Sequence, residues 1–375
     1  MYANFFFFIT VVCALIVLYP YVIYPAILML LPKQPILFSE VKPQKLTLVF
    51  CAYNEERAMP EKIKNLDALK RRHPNLQILA FDDGSSDTTY DQLLARPELL
   101  SVVRGGGRNG KAHGMKLLAK RATGDVIVFT DANVTLRLDA LDNLISYFSD
   151  TNVGGLCGSL HYLGEDGSAT ANVGGIYWKL EEYLKGLESA TGNVMGADGS
   201  VFALRREIYP SFPDTVLDDL TVSMAAVFNG LRLIKVNDVV AYERLVSKRN
   251  EEFSRKVRIS ARAFHTHLHL VPQLRQMAGV DKFKYMSRKF IRWFGGLFLM
   301  MGVAAGVAGA FALSNGFGLL ALGSVAIACL IGATVRNGPI ASVAEIVIAL
   351  MATLLGVFKA MRGQTFVVWN PAKSR

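Results

Sequence analysis

Four polar clusters punctuate the first half of this 375-residue chain, and each has side chains suited to oxygen-rich ligands. The first is Tyr53-Asn54-Glu55-Glu56, and the second Asp82-Asp83-Gly84-Ser85-Ser86-Asp87. Carboxylates so placed accept hydrogen bonds from ribose hydroxyls or a base. The same residues also make an ordinary turn and helix cap, because Asp and Ser satisfy helix N–H groups and Gly permits the turn. The third cluster, residues 105–112 (GGGRNGKA), fits G-x-x-x-x-G-K, but Ala112 stands where a P-loop needs a hydroxyl on Mg²⁺. That sets a P-loop NTPase aside. What survives is a glycine-rich loop with Arg108 and Lys111, suited to a diphosphate through backbone donors and fixed charge, or else a pair of solvated cations. The fourth cluster, Asp131-Ala132-Asn133, puts an acid and an amide on one face at a strand end, where oxygen ligands can hold a hard cation such as Mg²⁺ or Mn²⁺ between two phosphates.

Each cluster follows a short apolar run. Segments 46–52 (LTLVFCA), 76–81, 100–104 and 126–130 are expected to be buried strands, with helices at 57–71, 87–94 and 111–121. Such alternation is that of an α/β sheet. Right-handed crossovers between parallel strands put the loops after the strand ends along one edge, where ligands bind. All four clusters fall on that edge, and their joint pattern is far more specific than any one of them.

The charges are distributed unevenly. Residues 1–32 carry none, residues 33–292 hold 36 basic and 30 acidic groups, and residues 293–375 only five basic and one acidic. A charged α/β unit is therefore expected between membrane segments, which need about 20 apolar residues each. The net +10 drops to 36 − 30 = +6 over the charged unit, with signs interleaved, which argues against a nucleic-acid partner. Phe5 to Leu31 lacks a basic residue before it and a small-residue cleavage pattern, so an uncleaved transmembrane helix over 1–32 is expected. Lys33, Lys42 and Lys45 then place the unit over 33–280 in the cytoplasm. Segment 281–292 carries Lys282, Lys284, Arg288, Lys289 and Arg292 among aromatics and is expected to face acidic lipid headgroups. Apolar segments follow over 293–358, broken at Ser314-Asn315-Gly316, and then a basic tail over 359–375. If all three C-terminal segments cross, that tail lands outside, against the rule that put the charged unit inside. Four cysteines, two in apolar segments and two in expected strands, call for no disulfide framework.

Taken together, these motifs resemble the membrane-bound, inverting glycosyltransferases of family 2, with the GT-A fold, of the type that makes bacterial polysaccharides. The resemblance runs through Ala52 to Glu56, Asp82 to Asp87, Lys111, Thr130 to Asn133, Tyr177-Trp178, Glu188-Ser189, Gly196-Ala197-Asp198-Gly199-Ser200, Asp218-Asp219, Arg255-x-x-Arg258 and Trp369-Asn370-Pro371. It implies a nucleotide-sugar donor, most often UDP-linked, a divalent metal, and a cytoplasmic active site against the inner membrane. It also implies a lipid-linked or glycan acceptor, with polysaccharide-assembly partners or a homo-oligomer. By resemblance Ala52, Tyr53, Asn54, Glu55, Asp82, Asp83, Lys111, Asp131 and Asp198 belong to the donor site, Asp131 and Asn133 to the metal, and Asp219 is the catalytic base. Asn133 stands where the family usually has a second acid, and Ile259 replaces the tryptophan that follows the second arginine.

Inversion at an anomeric carbon needs a base on the acceptor hydroxyl and stabilisation of the leaving diphosphate. Asp219 can act as the base, with Asp218 beside it raising its proton affinity. Arg255, Arg258 and Lys111 can stabilise the leaving group together with a cation at Asp131. Asp218-Asp219 equally suits an N-cap pair opening a helix over 220–228. Trp178 and Tyr183, on a helix expected over 176–187, suit either the core or an acceptor sugar. His265, His267 and His269 lie on an expected helix, where a spacing of two does not bring them together on a metal. A nucleotide-driven transporter would have charges inside its spans, where only Glu345 stands, and an inactive scaffold would have lost Asp83, Asp131, Asp219 and Arg258. The absent tryptophan and few apolar segments point to addition of one or a few sugars; a processive synthase with a channel is the alternative.

Overall fold

A computed structural model describes residues 2–40, 44–163, 169–244, 249–335 and 338–368. Lys42, the closing Trp369 to Pro371 motif and the tail cations Lys373 and Arg375 lie outside the described residues. The chain forms one eight-stranded sheet: β1 (Leu46–Ala52), β2 (Gln77–Asp82), β3 (Ser101–Arg104), β4 (Val126–Thr130), β5 (Thr135–Leu136), β6 (Val153–Leu163), β7 (Val201–Arg205) and β8 (Arg232–Arg244), ordered β3-β2-β1-β4-β7-β6-β8-β5. The first four strands are mutually parallel, and β7 enters antiparallel between β4 and β6. Alternate residues of β1 feed two cores: Val49 and Cys51 face Phe81, Met115 and Phe129, whereas Leu48, Phe50 and Ala52 face Met59, Leu66 and Leu69. Burial on both faces explains why these strands are apolar throughout.

Helix boundaries differ from expectation for local reasons. The Met59–Arg72 helix begins at Met59 because Pro60 occupies its first turn. The Thr89–Leu94 helix starts two residues late because the Asp87 carboxylate accepts the Thr89 N–H at 2.9 Å and stands outside it. The expected N-terminal span is two helices, Tyr2–Leu18 and Ile23–Leu30, bent by 56° at a break containing Pro20. The second piece packs Tyr24 and Leu28 on Leu184 of the Ala169–Ala190 helix.

Among the described residues three helices are long and apolar enough to cross a bilayer, Gly295–Leu313, Asn315–Thr334 and Gly338–Met361, and the bent N-terminal pair makes a fourth if it counts as one span. The first two meet at Ser314, whose hydroxyl accepts the Phe317 N–H. Gly302 and Gly309 lie against Cys13 and Phe7 of the N-terminal helix. The last helix returns to the sheet side, with Val357, Ala360 and Phe366 joining the core that contains Met115 and Phe264. A Cβ at Gly110 would fall 2.4 Å from the Val367 carbonyl. Phe366 and Val367 thus lie against the sheet unit, on the far side of the last apolar helix from Gly338.

Candidate active site

The four clusters do assemble on one sheet edge, and the first two hold each other. Asn54, at φ +51°, donates its N–H to Ser85 Oγ and accepts the Ser86 N–H at 2.8 Å; Glu55 N–H binds Thr89 Oγ1. Asp82 and Asp83 are fully buried. Asp82 accepts the Ser85 N–H, and Asp83 accepts the N–H groups of Asn109 at 2.7 Å and Gly110 at 3.0 Å. These bonds correct the view of the glycine-rich loop as a set of free backbone donors: two of them are already given to Asp83. Arg108 stacks on the Tyr53 ring, 3.4 Å from its centroid, and is not a freely solvated cation.

Beyond this edge opens a cavity of about 460 Å³, lined by Glu55, Lys111, Asp131, Asn133, Asp198, Asp218, Asp219, Arg255 and Arg258 among others. The expected donor, metal, base and arginine residues converge on it, whereas Ala52, Tyr53, Asn54, Asp82 and Asp83 do not line it. Lys111, first in the Lys111–Arg121 helix, lies 2.6 Å from Asp131 Oδ1 and 3.8 Å from Asp218 Oδ2. Burial pulls its pKa down, but Asp131, Asp218 and Asp219 outweigh it and keep the amine charged. Asp218 and Asp219 stand inside the first turn of the Asp218–Phe228 helix, whose cap position is Leu217. Burial, and next Asp218, push the Asp219 carboxyl up to about 6. Asp198 pairs with Lys185 at 2.5 Å, so it presents a neutralised face. Arg255 and Arg258 project from the Arg249–Gln276 helix, with Ile259 exposed in the same wall.

Among the described residues no three acidic, His or Cys side chains gather to hold a metal on their own. The residues nonetheless fit a cation that takes its remaining ligands from a diphosphate, as Mg²⁺ commonly does. A Cβ at Gly199 would lie 3.7 Å from Asp131 Oδ2, so that oxygen faces the loop lining the cavity, and Asn133 donates its amide to Glu243 at 3.1 Å, leaving its carbonyl available. The three histidines do not gather: His265 meets Thr215 and shares a helix face with His269, and His267 turns away to Tyr285.

Two groups went unrecognised in the sequence. Lys62, fully buried, donates to the carbonyls of Asp131 at 2.9 Å and Val134 at 2.6 Å, fixing the turn that carries Asp131. Its amphipathic helix gave no sign that one lysine points inward. The second group gives three of the five cations of 281–292, Lys284, Arg288 and Arg292, partners within the protein. Arg288 bonds Glu181 at 2.8 Å and Glu188 at 2.5 Å, Arg292 bonds Glu181 at 2.5 Å, and buried Lys284 donates to the carbonyls of Glu188 and Thr191. Tyr24 completes the set with a 2.5 Å bond to Glu188. These cations neutralise acids a hundred residues away, a pairing that local sequence cannot display.

Residues 47–211 match the family model for glycosyl transferase family 2. The chain carries a glycosyltransferase family 2 domain. Hyaluronan synthase from Streptococcus pyogenes is 26% identical over 174 residues, 44% of this chain and 41% of that protein. Beta-monoglucosyldiacylglycerol synthase from Synechocystis sp. is 24% identical over 195 residues, 50% of this chain and 41% of that one. The chain thus spans about two fifths of the length of these relatives. The solved mannosyltransferase from Pyrobaculum calidifontis, in complex with GDP-Man and Mn²⁺, shares the fold at a TM-score of 0.74 and 20% identity, over 96% of this chain and 99% of that one. The family 2 match stops before Asp218 and does not reach Asp219, Arg255 or Arg258.

Proposed function

We propose that this chain is a membrane-bound hexosyltransferase that moves a sugar from a nucleoside-diphosphate sugar, UDP-linked, with inversion, onto a lipid-linked or glycan acceptor in cell-surface polysaccharide synthesis. The observation that carries this reading is the convergence of Asp219, Asp131, Lys111, Arg255 and Arg258 on one cavity beside a bundle of apolar helices. Asp131 and Asn133 would hold a divalent cation, whose chemistry is to neutralise charge on the leaving diphosphate. Lys111, Arg255 and Arg258 add fixed positive charge around the same group. Asp219, its proton affinity raised, takes the proton from the acceptor hydroxyl as that oxygen attacks the anomeric carbon.

The domain is placed on the cytoplasmic face of the inner membrane, where nucleotide sugars are made, and adds one or a few sugars per acceptor. Ile259 at the position of an acceptor-stacking tryptophan supports short products. The test is to supply purified protein in lipid with a panel of UDP- and GDP-sugars, each with Mg²⁺, Mn²⁺ or chelator, and to measure released nucleoside diphosphate. One donor giving metal-dependent release is expected; no release from any donor overturns the reading.

A further inference from the structure

The cavity wall nearest the membrane carries cations that the donor site does not use. Lys289 lies six residues before the Gly295–Leu313 helix and lines the cavity. Its neighbours Arg288 and Arg292 are paired with Glu181 and Glu188, but no carboxylate or carbonyl bonds Lys289 among the described residues. Arg262 lines the same cavity at 8% exposure; it gives one N–H to the Val216 carbonyl at 2.9 Å, while its Nε is buried without a partner. A half-buried cation with no bonded carboxylate and a buried guanidinium N–H with no partner, on two side chains that line one cavity, are costly unless a ligand supplies an anion.

Their position separates them from the diphosphate residues. A Cβ on Gly199 would stand 2.8 Å from Lys111 Nζ and 3.5 Å from Asp219 Oδ2. One on Gly196, at the other end of the same loop, would stand 3.9 Å from Lys289 Nζ. The loop therefore runs from the group formed by Asp131, Lys111 and Asp219 to Lys289. We infer that Lys289 and Arg262 form an anion-binding subsite for the phosphate headgroup of a membrane-held acceptor lipid, at the end of this loop away from the donor. A lipid is favoured over a free acidic glycan because Lys289 is attached directly to a helix long and apolar enough to cross the bilayer. Lys289 is then the residue that reads acceptor charge, a refinement that rests on the transfer reading above.

The experiment uses the full chain in phosphatidylcholine nanodiscs, titrated separately with decyl phosphate, decanol, inorganic phosphate, UDP and GDP. Decyl phosphate is expected to bind, with Lys289→Met weakening it at least tenfold, Lys289→Arg restoring most of it, and nucleotide affinity unchanged within twofold in both variants. Three results would each overturn the inference: decyl phosphate binding unaffected by Lys289→Met, an equal loss of nucleotide affinity in that variant, or decanol or inorganic phosphate binding as well as decyl phosphate. If neither UDP nor GDP binds the wild-type protein, the transfer reading itself fails, and that outcome is separate from the other three.

Discussion

Asp219 is a half-buried carboxylate beside Asp218, and burial together with that neighbour has two measurable consequences. A base whose pKa lies at about 6 is deprotonated and competent above that value, so transfer should fall as pH drops through about 6 and be flat from 7 to 8. A profile still rising above pH 7.5 would assign the base elsewhere. Asp219→Asn should reduce transfer by about 10² to 10⁴-fold, the usual worth of a positioned base, while leaving nucleotide affinity nearly intact. Binding by calorimetry and turnover by nucleoside diphosphate release must separate in that variant. For the cation, Asp131→Ala should abolish metal-dependent UDP binding and Asn133→Asp should tighten Mg²⁺ or Mn²⁺ by adding a charge. Calorimetry showing neither change would remove these residues from the metal. Lys111 is bonded to Asp131, so the Asp131→Ala variant also frees an amine, and the metal-free protein provides the control.

At the scale of elements, the site depends on contacts that no single motif contains. The turn bearing Asp131 is held from behind by Lys62, whose pKa burial pulls down to about 7. Lys62→Met keeps the volume but strands the buried Val134 carbonyl and leaves the Asp131 carbonyl with only the Val134 N–H, at a cost of about 1 to 3 kcal/mol. Urea denaturation should show that loss together with weaker UDP binding; loss of stability with normal UDP binding would mean that the turn does not need the lysine to position Asp131. Arg288 joins the Ala169–Ala190 helix to the segment leading into the membrane helices. Removing one partner of a buried ion pair leaves the others uncompensated, so Arg288→Met should destabilise by about 3 to 5 kcal/mol. A melting temperature equal to wild type would show that water reaches Glu181 and Glu188.

For the whole molecule, the return of the last apolar helix to the sheet is the decisive feature. Gly356 lets that helix approach the Arg249–Gln276 helix, since a Cβ there would fall 2.5 Å from the Val257 carbonyl. The helix bearing Arg255 and Arg258 is therefore seated on an element long and apolar enough to cross the membrane. In a Cys329→Ser background, Lys70→Cys and Gln364→Cys should be labelled by an impermeant maleimide from the same face of the membrane. Labelling from opposite faces would contradict the packing of Phe366 and Val367 on the sheet unit. Product length tests how far the machine reaches: an acceptor carrying one or a few added sugars agrees with the small cavity and Ile259, and polymers of tens of sugars would show a continuous path for the chain.

The parallel half of the sheet and its polar edge were legible because burial on both faces demands uninterrupted apolar runs, and because loops after such strands must share one side. Residues 46–52, 111–121 and 126–130 form the elements expected at those boundaries. Asp131 and Lys111 could be picked out by their places at a strand end and a helix start, and Asp219, Arg255 and Arg258 by their resemblance to the family's motifs; all five line one cavity. The identity of each one's partner was not legible. Asp83 spends its lone pairs on the glycine-rich loop, Lys62 turns inward, and Arg288 and Arg292 face Glu181 and Glu188. Residue type and spacing are local, and they determined which strands, helices and charged groups exist. Charge neutralisation in a buried site acts through space, so only the tertiary structure decided which acid each cation meets and left Lys289, among the described residues, with Glu181 nearby but no carboxylate bonded to it.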